Sequence, residues 1–329
     1  MLQVFSFLAL IAPTLASASA DLVVYSSRSE PLIRPVLEAY QKVSGNTLRL
    51  VTDSAEGLIE RIAAEGEKTS ADVLMTVDVG NLSEARARGI LSPMRSQAIE
   101  KNVPISLRDE SGHWVAVSRR MRTIFYNPSK VNPQDLSTYE SLAGARWKKR
   151  LCLRSSKKVY NQSLVALMIA DLGEQKTEEV VRGWISNLAT DVFPDDTKLL
   201  EAIASGRCDV GIANSYYFGR LEKKNPAISV RPFWPNQSGR GVHVNISGAA
   251  IVKNSSNKIE AQKFIEWLLT PEAQKIFAET GMEYPVVSSV SLDPVLRSWG
   301  QFKSDPTPLT RVRELQPVAV RLMDRVGYH

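Results

Sequence analysis

A chain of 329 residues with 43% hydrophobic content carries enough apolar mass for two cores. Its formal charge of +6 is dispersed in short runs such as Lys148-Lys149-Arg150, Lys157-Lys158 and Lys223-Lys224. That argues against a polybasic nucleic-acid arm, and no nucleic-acid motif accompanies it; two cysteines and three histidines are too few for a zinc site.

The first 20 residues read as a removable leader. Leu2 to Leu15 is mostly apolar, and Ala18-Ser19-Ala20 ahead of Asp21 has the small-x-small pattern of a cleavage site, although no Lys or Arg precedes it. The run is too short for a membrane span. The mature protein is therefore expected to be exported, to the periplasm. In that setting Cys152 and Cys208 are best paired as one disulfide; two buried free thiols are the alternative.

From Asp21 strand and helix alternate. Leu22 to Tyr25 is a strand, Ser26-Ser27-Arg28 a turn, and Leu32 to Val43 a helix closed by Gly45. Leu48–Val51 and Ala71–Met75 are further strands, each followed by a helix. Trp114 to Tyr126 is a long β segment with a charged centre, Arg119-Arg120-Met121-Arg122, which suits a crossing between two lobes. After it the alternation restarts: Leu151–Leu153, a helix from about Gln162 to Leu172, two more helices, and the strand Val210–Ala213. Val242 to Val252 reads as the return crossing. This pattern predicts an α/β fold with mostly parallel sheets, residues 21–118 and 248–329 forming a discontinuous first lobe and 119–247 the second.

The strand Val210–Ala213 ends in Asn214-Ser215-Tyr216-Tyr217. Tyr160 follows the other apolar segment of the second lobe, and each cysteine stands eight residues ahead of a tyrosine. Clefts in such folds lie beyond the carboxyl ends of strands, where Tyr25, Tyr160, Tyr216 and Tyr217 all fall; Tyr25 is expected to wall the cleft. A free phenol is neutral at working pH. A trivalent cation reverses that preference, and phenolate is a hard donor suited to Fe(III). Three phenolates supply three donors, so further ligands or a small anion must complete the shell, and an anion wants arginine or a helix N-terminus. Arg28, Arg120, Arg122 and Ser155 are the candidates to hold it. His243, Tyr284, Trp184 and Trp267 read as structural. No Gly-x-Ser-x-Gly, His-Glu-x-x-His or P-loop pattern nominates an enzyme.

Several segments resemble the periplasmic ferric-ion-binding proteins, the substrate-binding subunits of iron ABC importers. They are Val24–Arg28, Leu74–Asp78, Arg154–Ser163, Cys208–Tyr217, Gly241–Gly248 and Glu283–Val286. The resemblance implies a type II periplasmic-binding-protein fold, a cleft that shuts on its cargo, and Tyr160, Tyr216 and Tyr217 as iron ligands. It also implies a permease in the inner membrane as partner; the chain is expected to act as a monomer. Where relatives place a histidine and often a tyrosine after the Ser-Ser-Arg turn, this chain has Ser29 and Glu30. The three-tyrosine members close the shell with a carbonate-like anion, and Glu30 as a carboxylate ligand is the other resolution. A small organic or phosphate-type anion is the alternative cargo.

Overall fold

Nine strands join into one continuous curled sheet, because one of them, β5, is long enough to pair with both halves. The structure, a computed structural model, describes residues 21–329; the expected leader lies outside the described residues. The strands are β1 (Asp21–Ser26), β2 (Thr47–Thr52), β3 (Val73–Val77), β4 (Leu91–Ser92), β5 (Val115–Tyr126), β6 (Leu151–Cys152), β7 (Val210–Asn214), β8 (Arg231–Phe233) and β9 (Val244–Val252). Their order is β2-β1-β3-β9-β5-β7-β6, with β4 added on β9 and β8 on β5.

The sheet is mixed. β1 pairs parallel with β2 and β3, and β6 with β7. Every other pairing is antiparallel and involves β5 or β9. The α/β class expected from the alternation stands; the antiparallel share comes from the crossing strands, which return through the sheet instead of winding along it. β5 changes partner halfway. Val115 to Met121 lie on β9, whereas Arg122 to Tyr126 lie on β7 and β8. The charged centre of the strand thus falls where one half of the molecule hands over to the other.

Two hydrophobic cores flank this handover. The first gathers Leu22–Tyr25, Val73–Met75, Trp114–Val117 and Ile246–Val252 with the helices Glu30–Ser44, Ala55–Glu65 and Lys258–Trp267. The second gathers Ile124–Tyr126, Leu151–Leu153 and Val210–Ala213 with the helices Val159–Leu172, Glu174–Ser186 and Asp196–Ala204. The C-terminal stretch divides differently from the expected 248–329 lobe. Leu296, Trp299, Val312, Ala319, Leu322, Met323 and Tyr328 all join the second core, and Leu309 joins the first. Gly219 makes room for this packing: a Cβ there would lie 2.8 Å from Met282 and 3.1 Å from the Trp299 ring. The helix Leu309–Arg325 therefore rests mainly on Val159–Leu172 and also touches the helix Val79–Ala87 of the first core.

Cys152 and Cys208 are disulfide-bonded, with Cα atoms 5.9 Å apart, as neighbouring parallel strands allow. The bridge clamps β6 to the approach of β7, the two segments that lead to the tyrosines. Replacing both cysteines by alanine is expected to cost about 4 kcal/mol by the chain-entropy model, measured as a lowered urea midpoint under non-reducing conditions.

His243 lies next to the handover, buried, with neither ring nitrogen hydrogen-bonded. Burial and the guanidinium groups of Arg122, Arg120 and Arg240 push its imidazolium down to about 3. The unfolded chain thus takes up this proton first. Stability is fully present above the unfolded value of about 6.5 and is lost as pH falls from there towards the folded value. Urea midpoints between pH 7 and pH 5 should fall for the parent and fall less for His243→Asn.

Candidate functional site

Each of the three tyrosines sits in the first turn of a helix. Tyr160 belongs to Val159–Leu172, which starts earlier than the expected Gln162, and Tyr216 and Tyr217 open the helix Ser215–Lys224 directly after β7. The strand gives way to helix at Ser215 because that residue's hydroxyl accepts from the Met121 amide of β5 at 3.2 Å. Free amides and the positive end of the helix dipole thus face both tyrosine segments, which favours negative charge there.

A buried arginine fixes the two segments relative to each other. The Arg122 guanidinium donates to Asp196 Oδ2 and Asn214 Oδ1, each at 3.1 Å, to Asn161 Oδ1 at 2.9 Å, and to the Ile212 carbonyl at 3.2 Å. Asn214 stands two residues ahead of Tyr216. Asn161 follows Tyr160 and donates to the carbonyls of Arg154 and Ser155 at 2.8 and 2.9 Å. Asp196 also accepts from the Asn214 amide at 3.0 Å. From below, the Tyr328 hydroxyl donates to the Arg154 carbonyl at 2.6 Å.

The phenols converge. The Tyr216 and Tyr217 rings lie 4.3 Å apart, centroid to centroid, and the Tyr160 and Tyr216 phenols are close enough to act on one another electrostatically. Three guanidinium groups surround them. Arg120 stands 5.9 Å from the Tyr160 ring and 5.7 Å from Tyr216. Arg154 stands 5.4 Å from Tyr160 and 5.8 Å from Tyr217, and donates to the Tyr217 hydroxyl at 3.4 Å. Arg220 lies over both members of the pair, at 4.8 and 5.0 Å.

Burial governs the phenols in the absence of a cation. It pushes the Tyr160 hydroxyl up, with Arg120 opposing and Tyr217 reinforcing. It pushes Tyr216 well above the ordinary phenol value, reinforced by Tyr160 and Tyr217 and opposed by Arg120. In the absence of a cation these groups keep their protons.

Carboxylates are scarce in this region. Arg28 donates to Glu283 Oε2 at 3.0 Å, and Arg120 approaches Oε1 of the same residue at 3.5 Å. Against burial, which pushes Glu283 up, Arg28 and Arg120 hold its carboxyl below the usual range. Arg154 reaches Asp196 Oδ2 only at 3.7 Å, and that oxygen already serves Arg122. Glu283, Asp196 and, acting on Arg120, Asp78 thus set three buried carboxyl groups against four buried guanidiniums. The arrangement suits an added anion, or phenols that have become phenolates.

The residues expected at the site divide into groups. Tyr160, Tyr216, Tyr217 and Arg120 meet. Arg28 reaches the phenols only through Glu283 and Arg120. Arg122 is committed to the Asp196 network and acts as a strut. Glu30 forms an exposed ion pair with Arg34 on the helix it opens, and the Ser155 hydroxyl accepts from the Lys157 amide at 3.3 Å. Tyr25 does not wall the cleft: it is fully buried, its hydroxyl bonds Glu65 at 3.3 Å, and Arg61 covers its ring at 5.0 Å. β1 ends one residue later, at Ser26, so alternation along the strand turns this ring away from the site. Arg154 and Arg220 are the residues that sequence reasoning missed. Arg220 stands four and three residues beyond the tyrosine pair, a helical spacing that becomes visible once the helix is seen to start at Ser215.

The model of the family described as bacterial extracellular solute-binding protein matches residues 68–304. Iron uptake protein A1 of Synechocystis is 41% identical over 314 residues, covering 94% of this chain and 87% of that protein. The major ferric iron-binding protein of Neisseria meningitidis is 27% identical, covering 97% of each chain. Among solved structures, a Trichodesmium protein in complex with iron and citrate ligands superposes with a TM-score of 0.90 at 42% identity, over 94% of this chain and all of that one. A ferric binding protein from Campylobacter jejuni superposes with a TM-score of 0.88 at 33% identity, with the same share of this chain and again all of that one. These relatives are binding and uptake proteins, not enzymes. With the fold and these likenesses together, the chain belongs to the bacterial extracellular solute-binding protein family, alongside its ferric-ion-binding members.

Proposed function

We propose that this protein captures Fe(III) in the cleft between its two cores and delivers it, from the periplasm and as a monomer, to an ABC permease in the inner membrane. The phenolates of Tyr160, Tyr216 and Tyr217 are the protein ligands. The observation that carries the reading is the convergence of three phenols at two helix N-termini inside a ring of guanidinium groups. The iron uptake and ferric-binding names of the relatives, and the iron and citrate in the Trichodesmium structure, support the same cargo.

Three phenolates balance the charge of Fe(III) and leave the guanidinium excess unmet. A small oxyanion, carbonate-like or carboxylate, completes the shell and meets that excess, held by Arg120 and Arg154. Arg28 and Arg122 support those two through the shared carboxylates. Glu30 is the weaker candidate for the remaining donor, since its partner Arg34 holds it on an exposed face. The surrounding arginines also suit the second reading, a small organic or phosphate-type anion bound without metal, with the phenols donating as neutral groups.

Adding ferric citrate should produce a visible phenolate-to-iron charge-transfer band. Tyr216→Phe and Tyr217→Phe should each weaken or abolish it, and a band indifferent to both would remove the proposed ligand set. Calorimetric binding of an anion in the absence of iron, with no colour on adding iron, would favour the second reading.

Binding should also release one proton per coordinated phenol, because burial keeps Tyr160 and Tyr216 protonated beforehand. Affinity should therefore fall as pH is lowered from 8 to 6, and less steeply in Tyr160→Phe. A pH-independent affinity would contradict phenolate ligation.

A further inference from the structure

The ligands assigned above all come from the second core, and the first core contributes no phenol. What it contributes at the cleft is Asp78. This residue directly follows β3, is fully buried, and adopts φ 77°, a positive-φ conformation uncommon outside glycine. The conformation lets its carboxylate do two things. Oδ1 caps the helix Val79–Ala87 by accepting from the Gly80 amide at 2.8 Å. Oδ2 accepts from Asn245 Nδ2 at 2.7 Å and from the Ser163 hydroxyl at 2.9 Å.

Ser163 belongs to the other half of the molecule. It lies on the helix Val159–Leu172, packed in the second core, one turn beyond Tyr160. Asp78 is followed by Val79 and Leu82, which belong to the first core. The Ser163–Asp78 hydrogen bond therefore crosses from one core to the other, and any separation of the cores breaks it. Arg120, against the rings of Tyr160 and Tyr216, also lies within electrostatic reach of Asp78. A second crossing contact, Arg313 to Glu84 at 3.2 Å, is roughly a third to a half exposed and is correspondingly weak.

We propose that Asp78 is a positioning residue for the iron site: by gripping Ser163 it makes closure of the cleft hold the Tyr160 helix in its ligating position. The first core, lacking ligands of its own, acts on the metal through this buried bond. A carboxylate–hydroxyl bond of this kind forms without water competing for either partner, which makes it strong for its size. The Val79–Ala87 helix, capped by the same carboxylate, moves with it as a unit.

This rests on the proposed ferric site, and the test separates the two. Ser163→Ala removes the crossing donor while leaving the cap on Gly80 and the bond from Asn245 intact. Iron loss to a chelator should be about tenfold faster than in the parent, as expected for one buried hydrogen bond. The charge-transfer maximum should not move, because the ligands are unchanged. The melting temperature of the iron-loaded form should fall more than that of the metal-free form, and small-angle scattering should show a less closed loaded molecule. Arg313→Gln, which breaks only the exposed crossing pair, should change the loss rate little.

An unchanged loss rate in Ser163→Ala would overturn the proposal. So would equal melting losses in both forms, which mark a purely structural role. A parent that takes up no iron sinks the ferric reading instead. The latch is then judged by scattering alone, and an unchanged radius of gyration in Ser163→Ala overturns it.

Discussion

The ion pair between Arg122 and Asp196, with both side chains fully buried and 3.1 Å apart, is the constraint on which the site depends. Charges so placed are costly unless hydrogen-bonded; Asp196 finds partners only at Oδ2, and the cation relies on hydrogen bonding of its own. Arg122 obtains it from Asn161, Asn214 and the Ile212 carbonyl. Those partners stand beside Tyr160 on one segment and beside Tyr216 on the other. Satisfying one buried cation therefore sets the spacing of the phenols. The disulfide between Cys152 and Cys208 holds the same two segments covalently, one strand earlier.

Charge is deliberately unbalanced around this strut. Glu283 serves Arg28 and Arg120, and Asp196 serves Arg122 and Arg154. The excess is costly in a closed, metal-free molecule and is relieved when negative charge enters, whether as phenolate or as a bound anion. Burial meanwhile keeps the phenols protonated. On the proposed ferric reading the two effects oppose one another until a trivalent cation arrives, and capture of the metal, loss of protons and entry of an anion would then be one coupled event. Helix N-termini at both tyrosine segments add to the pull on negative charge.

Both cores meet along β5 and β9, and little else in the sheet joins them. β5 passes from β9 to β7 at Met121 and Arg122, so the residues of the handover are also the residues of the site. A relative motion of the cores is felt first by Arg120 and Arg122. The C-terminal helix lies across the same junction, packed on the helix of Tyr160 and touching that of Asp78. Just beyond that helix, Tyr328 props the loop that begins at Arg154.

By itself the sequence determined the α/β alternation, the two crossing strands, the cysteine pairing as its leading alternative, and the three tyrosines. These are written in local periodicity and in residue type, which need no knowledge of distant contacts. Resemblance to a known family carried the cargo, which periodicity alone did not reach. Tertiary structure decided the rest. It made the sheet mixed, placed most of the buried side chains between Leu296 and Tyr328 on the second core, took Arg122 into a strut, left Glu30 on the surface, and turned Tyr25 towards Glu65. It also brought in Arg154, Arg220 and Asp78. The reason is physical: a guanidinium or carboxylate reaches any of several partners, and which one it finds depends on segments far away in the chain that only the folded molecule brings together.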